Sequence, residues 1–382
     1  MNTLLIVDDE STFAAFVVKV ASAAGYRARA AASVSAFHAD VETGWPSVLV
    51  LDLQMPGTDG IELLREIGER RCPSKVVLIS GVDERVLDSA HRLGVEIGLA
   101  MAGAVRKPVR ATELRQRLAA LHGDLGNPTP EALAAAIDSE RLFLLYQPKV
   151  DVRTRRVVGV EALVRWRGES GRIIPPDAFV PMAETSGLID RLTAWVVDRA
   201  FRQAGAWRGM GLDLQVAVNL SARNIHDRQL PDLLAARCAA AGVTPERLTL
   251  ELTETASMQD AATLLEILSR FRLKGFRLSI DDFGTGYSSI AQLLRLPFSE
   301  LKVDKSFVSG METARELAVI VETTIGMAHN LGLSVVAEGV ETEAALRMLG
   351  KWNCDLAQGY LFSEPVEAAA IETMAASPAG MG

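Results

Sequence analysis

Cysteine is scarce: Cys72, Cys238 and Cys354 are spread over 382 residues with no CxxC spacing. Neither a disulfide framework nor a thiolate zinc site is suggested, and the three read as reduced cytosolic thiols. The five histidines (His38, His91, His122, His226, His329) form no HExxH motif and no His–Asp pairing, which argues against zinc or histidine-metal chemistry. Positive charge is also short, with 40 Lys and Arg against 48 Asp and Glu. A net charge of −8 leaves no broad basic footprint for DNA or anionic lipid. No apolar run of about 18 residues could span a bilayer as a helix. The apolar start, Met1 to Val7, meets Asp8, Asp9 and Glu10 too soon for a secretory segment. The expectation is a cytoplasmic protein with no DNA and no membrane partner.

What is present is an alternation. Short β-branched runs (Leu4 to Val7, Val48 to Leu51, Lys75 to Ile79) alternate with helical-period segments (Ser11 to Ala24, Gly60 to Arg70) through Leu121. That pattern signals βαβ units and a parallel sheet over residues 1–121. His122 to Pro130 (HGDLGNPTP) breaks the period and reads as a linker, with Thr129 as N-cap and Pro130 as first residue of a helix to about Ser139. Residues 131–376 hold eight strand candidates: LFLLYQPKV, VVGVEALVRW, LQVAVNLS, LTLELTE, FRLSIDDF, ELKVDKSF, SVVAEGVE and AQGYLF. Eight strands in roughly 250 residues is the count of a (β/α)8 barrel. Only Asp151 to Arg156 separates the first two, too few for a helical crossover, so that pair is expected as an antiparallel hairpin with a solvated, charged tip. Residues 377–382 (SPAGMG) are expected to be a disordered tail.

In the first half, Asp8 and Asp9 end one apolar strand, Asp52 a second, Ser80 a third and Lys107 a fourth. Parallel strand ends meet at the carboxyl edge, where three gathered carboxylates repel one another unless a divalent cation lies between them. These residues resemble a two-component response-regulator receiver, which implies a doubly wound, flavodoxin-like fold. The resemblance implies Asp52 as phosphoacceptor and Asp8 and Asp9 as holders of one Mg²⁺. It further implies that Ser80 and Lys107 contact the phosphoryl oxygens, and that the partner is a sensor histidine kinase or a phosphotransfer protein. Two departures stand out: the segment between Ser80 and Lys107 is several residues long for the family, and Ala104 replaces the usual aromatic switch residue.

In the second half, lone polar residues recur near the carboxyl ends of apolar strands. Glu251 takes the face opposite Leu250 and Leu252; Asn219 points inward while Val216, Val218 and Leu220 face the helices; Lys302 and Asp304 share a side. Glu161, Asp281, Asp282, Glu338 and Gln358 complete the set. Six carboxylates, two amide oxygens and one ammonium are expected at a single mouth. All-oxygen ligation selects hard ions such as Mg²⁺ or Mn²⁺, and such a site can hold two ions about 3.5–4 Å apart.

The motifs EALVRW, VNLS, ELTE, DDFGTGYSS, LKVDKSF, AEGVE and QGYLF resemble an EAL-type cyclic di-GMP phosphodiesterase. The resemblance implies that Glu161, Asn219, Glu251 and Asp281 bind one metal, and that Asp281, as bridge, and Asp282 bind a second. Lys302 would position the attacking water with help from Asp304. Glu338 and Gln358 would support the second metal or the water, and Gln147, Arg165 and Gln358 are carried over as substrate contacts. Glu254 matches the anchor of the loop Phe283 to Ser289, which in the family couples dimerisation to metal binding, so a homo-oligomer is expected. No GG(D/E)EF cyclase signature occurs. The expected activity is hydrolysis of cyclic di-GMP to linear pGpG, regulated through Asp52. The alternative is a catalytically weak sensor of the dinucleotide acting through protein partners.

Overall fold

Side chains alternate across a strand, and in the N-terminal unit both faces are apolar. Leu4, Ile6, Val48, Val50, Val77 and Ile79 pack on one side; Leu5, Val7, Leu49, Leu51, Val76 and Leu78 pack on the other. A sheet buried twice needs helices on both faces. The computed structural model describes residues 3–55, 58–70, 72–82, 84–107, 109, 111–121, 129–168, 171, 173–253, 261–284 and 290–376. They divide into two units, Met1–Leu125 and Gly126–Gly382. In the first, β1 (Thr3–Val7), β2 (Arg27–Ala31), β3 (Val48–Asp52), β4 (Lys75–Ser80) and β5 (Ala100–Arg106) lie parallel in the order β2-β1-β3-β4-β5. Helices α1 (Ser11–Ala23) and α5 (Ala111–Leu121) cover one face, and α2 (Val34–Glu42), α3 (Gly60–Glu69) and α4 (Glu84–Glu96) the other.

Two features go beyond the sequence pattern. β2 (RARAA) is a largely exposed edge strand with no apolar run to announce it. The long segment before Lys107 ends in a bulge: β5 slips against β4 between Val76 and Leu78, and Gly103 takes φ 118°. Ala104 follows it, half-buried.

The second unit starts with α6 (Pro130–Ile137), whose Thr129 Oγ1 accepts the Ala132 N–H at 3.2 Å; it stops two residues short of Ser139. Eight strands follow: β6 (Leu142–Asp151), β7 (Val157–Arg167), β8 (Gln215–Leu220), β9 (Leu248–Thr253), β10 (Arg277–Phe283), β11 (Glu300–Val303), β12 (Ser334–Ala337) and β13 (Leu356–Ala357). β6 pairs antiparallel with both β7 and β13, and every other neighbouring pair among the eight is parallel. The sheet therefore closes into a barrel whose first strand is reversed; the two-residue strand Ile173–Ile174 adds to β7 outside the closure.

The outer helices are α7 (Pro176–Ser186), α8 (Ile189–Gly209), α9 (Leu230–Ala240), α10 (Ala261–Leu273), α11 (Ile290–Arg295), α12 (Lys305–Val308), α13 (Arg315–Asn330), α14 (Glu343–Lys351) and α15 (Ala368–Ala376). They bury the outward strand residues; Leu301, Val335 and Ala337, for example, pack with Val321, Ile325 and Leu349. Two strand candidates are shorter than their apolar pattern. LKVDKSF leaves the sheet after Val303 because Asp304 caps α12, and AQGYLF leaves it after Ala357. The hairpin tip is not wholly solvated, since Arg155 makes a two-pronged ion pair with Glu343 of α14 at 3.0 and 2.5 Å. Among the described residues no helix is long and apolar enough to cross a membrane. The expected linker, apart from Thr129 and Pro130, and the tail 377–382 lie outside the described residues.

Candidate active site

Parallel register sets Asn219 beside Glu251, Glu251 beside Ser279, and Ser279 beside Glu300, so one inward row is almost wholly polar. Across the hairpin Gln147 faces Glu161. Lys302, 1% exposed, stands at the centre. Its Nζ lies 3.4 Å from Glu161 Oε2, 3.0 Å from Glu251 Oε2, 2.9 Å from Asp281 Oδ1 and 2.8 Å from Glu338 Oε1. Glu161 also accepts hydrogen bonds from Asn219 Nδ2 at 2.7 Å and Gln358 Nε2 at 2.8 Å, and Gln358 Nε2 reaches Gln147 Oε1 at 2.8 Å.

Consecutive strand residues ordinarily point to opposite faces. Asp281 and Asp282 escape that rule because β10 slips against β11 between Ile280 and Phe283, and Asp282 takes φ 54°, left-handed backbone rare for a side chain other than glycine. Two acidic groups result: Glu161, Glu251 and Asp281; and Asp281, Asp282 and Glu338. In each, one oxygen per residue lies within 4.8 Å of the others. Asp281 belongs to both.

The donor set fits two hard divalent ions. The mouth is all oxygen, its carboxylates outnumber the ammonium among them, and the buried Oε1 of Gln358 has no partner among the described residues. Asn219 turns its nitrogen toward Glu161, so ligation through Oδ1 requires its amide to rotate.

The electrostatics separate these carboxylates. Burial alone would push Glu161 up, but Lys302, Lys149 and the two amide donors outweigh it and hold the group at about 2. Glu251 has less help: burial, with repulsion from Glu161 and Asp281, pushes it up to about 8 despite Lys149 and Lys302. Burial first, then Asp281 and Glu161, raise Glu338 to about 7. Burial and the neighbouring Asp281 and Asp304 raise Asp282 to about 6. Burial would pull Lys302 down, yet the surrounding carboxylates hold it well above the ordinary lysine value. The four carboxylates around it thus favour the ammonium form of Lys302.

The other sequence candidates fall as follows. Arg165 is half-buried, close enough to Glu161 and Asp177 for their charges to act on it, and donates to the Val164 carbonyl at 2.9 Å. Asp304 is buried, and its Oδ1 accepts the Ser306 N–H at 2.9 Å as the N-cap of α12. Glu254 and loop residues 285–289 lie outside the described residues. Sequence alone suggested no His–Asp pair, but His329 Nε2 meets Asp355 Oδ2 at 2.9 Å; Asp355 also accepts the Val335 N–H, which places the pair at the start of β12, away from the mouth.

In the first unit, Lys107 Nζ bridges Asp52 Oδ2 at 2.7 Å and Asp8 Oδ2 at 2.9 Å. Asp8, Asp9 and Asp52 can each bring an oxygen within 4.8 Å of the others. Burial raises the Asp8 pKa against the pull of Lys107. The Ser80 hydroxyl is fully buried beside this edge with no partner among the described residues.

The family model described as the EAL domain matches residues 130–365. The chain belongs to the EAL-domain family. Ahead of that EAL domain, residues 4–119 match the response regulator receiver domain. The EAL protein is 38% identical over 241 residues to the oxygen sensor protein DosP of Escherichia coli, covering 63% of this chain and 30% of that one. It is 43% identical over 243 residues to the cyclic di-GMP phosphodiesterase NbdA of Pseudomonas aeruginosa, covering 63% and 31%. The chain thus spans about a third of the length of these curated relatives. A solved PaMucR phosphodiesterase in complex with c-di-GMP is 40% identical, with a TM-score of 0.60 over 63% of this chain and 98% of that one.

Sequence reasoning missed a second buried ammonium in the EAL barrel. Lys149, 3% exposed, places Nζ 2.6 Å from Glu251 Oε1 and 3.2 Å from Glu300 Oε1, below the mouth. The signal existed: Lys149 is two residues from Gln147 on one apolar strand, the same polar-within-apolar cue that singled out Lys302.

Proposed function

We propose that this chain hydrolyses cyclic di-GMP to linear pGpG using two Mg²⁺ or Mn²⁺ ions in the barrel, under control of a receiver phosphorylated on Asp52. One observation carries the reading: two carboxylate groups share Asp281 around a single buried Lys302. Glu161, Asn219, Glu251 and Asp281 would hold one ion, and Asp281, Asp282 and Glu338 the other. Such ions supply Lewis-acid charge and a water acidic enough to attack near neutral pH. The Lys302 ammonium orients that water by donating hydrogen bonds, while Gln147, Arg165 and Gln358 meet the dinucleotide from the β6–β7–β13 side. Asp304 supports this edge through its cap on α12.

In the receiver, Asp8 and Asp9 would hold one Mg²⁺. Lys107 and the Ser80 hydroxyl, which has no partner among the described residues, would contact phosphoryl oxygens on Asp52 supplied by a histidine kinase or phosphotransfer protein. The acidic charge, and the absence among the described residues of a helix able to cross a membrane, support a cytoplasmic setting, and family analogy supports a dimer or higher oligomer.

The test is a product assay with cyclic di-GMP in Mg²⁺, Mn²⁺ and Ca²⁺, repeated on Glu161→Ala and Lys302→Ala. The expected result is pGpG from the wild type and its near-complete loss in both variants. A wild type that bound cyclic di-GMP with Mg²⁺ or Mn²⁺ yet released no pGpG would favour the sensor alternative.

A further inference from the structure

We infer that Lys149 is a positioning residue that holds Glu251 in place to receive a divalent ion, an inference that rests on the metal-dependent reading above. Glu251 is fully buried, and its two oxygens are claimed from opposite sides: Oε1 by Lys149 at 2.6 Å and Oε2 by Lys302 at 3.0 Å. Only Oε2 therefore faces the mouth where Lys302 meets Glu161, Asp281 and Glu338. Lys149 is itself fixed from below by Glu300 Oε1 at 3.2 Å, and Glu300 Oε2 lies 3.8 Å from Arg277 Nη2.

The strands around Lys149 approach closely and leave a small space beside it. Gly159 stands opposite Lys149 across the hairpin, and a Cβ there would come within 2.8 Å of the Gln215 carbonyl oxygen. A cavity of about 40 Å³ lies beside the lysine, lined by Gln215, Arg277 and Glu300 among others, with Gln215 Oε1 and Arg277 Nε buried and unpartnered among the described residues. A buried ion pair kept for stability alone could be replaced by apolar packing at little or no cost. A group that orients a metal-binding carboxylate cannot be so replaced.

The experiment uses the full chain. Mn²⁺ affinity is read by the loss of the free-ion EPR signal, and kcat and KM for cyclic di-GMP are measured beside it. Lys149→Met should remain folded, bind Mn²⁺ roughly 10–100-fold more weakly and lose kcat by a similar factor, the range found for partners behind metal ligands. KM should change little because Lys149 lies below the mouth. Lys149→Arg, with the cavity to receive the larger head, should recover most of the affinity. If Lys149→Met does not fold, Lys149→Gln, which keeps a hydrogen-bond donor without the charge, should still bind Mn²⁺ at least about threefold more weakly. Wild-type Mn²⁺ affinity in a folded Met or Gln variant, or a loss confined to KM, overturns the inference. A wild type that takes up no Mn²⁺ overturns the metal-dependent reading as well, so the two failures are told apart by the wild-type titration.

Discussion

Glu251 and Glu338 carry the clearest pH consequence. With no metal ion beside them, and despite their lysine partners, they are pushed to about 8 and about 7, against an ordinary glutamate value of 4.5, first by burial and then by neighbouring carboxylates. A folded-state pKa above the unfolded one means that the folded chain binds extra protons between those values. Their stabilisation is complete below the unfolded pKa and is lost as pH rises through the folded one. The metal-free protein in EDTA should therefore melt at progressively lower temperature as pH rises from about 5 to about 8. Saturating Mg²⁺ or Mn²⁺ should remove most of that decline; a melting temperature that stayed flat in EDTA would contradict the assignment. The same groups must lose protons to bind a cation, so metal uptake near pH 7 should release protons, measurable in weakly buffered titrations. Asp282 offers a sharper substitution. Asn tolerates left-handed backbone, so Asp282→Asn should keep or slightly raise metal-free stability by removing a repelled carboxylate, while costing more activity than the ~10–100-fold typical of outer partners.

At the scale of elements, turns and caps place the chemistry as much as strands do. Asp304 is both a candidate catalytic group and the N-cap of α12. Asp304→Ala should cost about 1 kcal/mol through the lost cap, whereas Asp304→Ser should retain the melting temperature. Any fall in turnover that Ser shares with Ala then measures the carboxylate itself. Gly284 follows the β10 bulge at φ 100°, and a Cβ there would meet the Phe307 ring at 2.9 Å. Gly284→Ala should destabilise by roughly 1–2 kcal/mol in denaturant unfolding, and an unchanged midpoint would mean the bulge relaxes freely. The eight barrel strands were legible as apolar runs because their outward faces pack on helices. β2 of the receiver was not, since an edge strand with little burial needs no apolar signature. The ends of β11 and β13 were misjudged for a related reason. Once Asp304 and Gln358 leave the sheet, Phe307 and Val308 pack from α12 and Leu361 and Phe362 from the turns after Gln358 instead, while Tyr360 stays exposed.

For the whole molecule, the intact pocket of Asp8, Asp52 and Lys107 in a chain that also carries the EAL barrel motivates one prediction. Turnover of cyclic di-GMP should change when a small-molecule phosphodonor is added, and Asp52→Asn should abolish that response. Equal wild-type rates with and without donor would remove the regulatory reading. The order of motifs along the chain determined the two fold classes, the presence of one reversed barrel strand and nearly every acidic residue of the mouth, because burial periodicity and short connections are local properties; that the first strand is the reversed one was decided by its antiparallel pairing with the last. Tertiary structure alone decided what those residues do to one another. The β10 bulge turned two adjacent aspartates to one side, and closure of the barrel brought Lys149 from its first strand and Lys302 from its sixth onto opposite oxygens of Glu251; burial then drove Glu251 up, while the two lysines and the amide donors of Gln358 and Asn219 held Glu161 down. Charge interactions depend on distance and solvent exclusion, and neither exists until the chain has closed on itself.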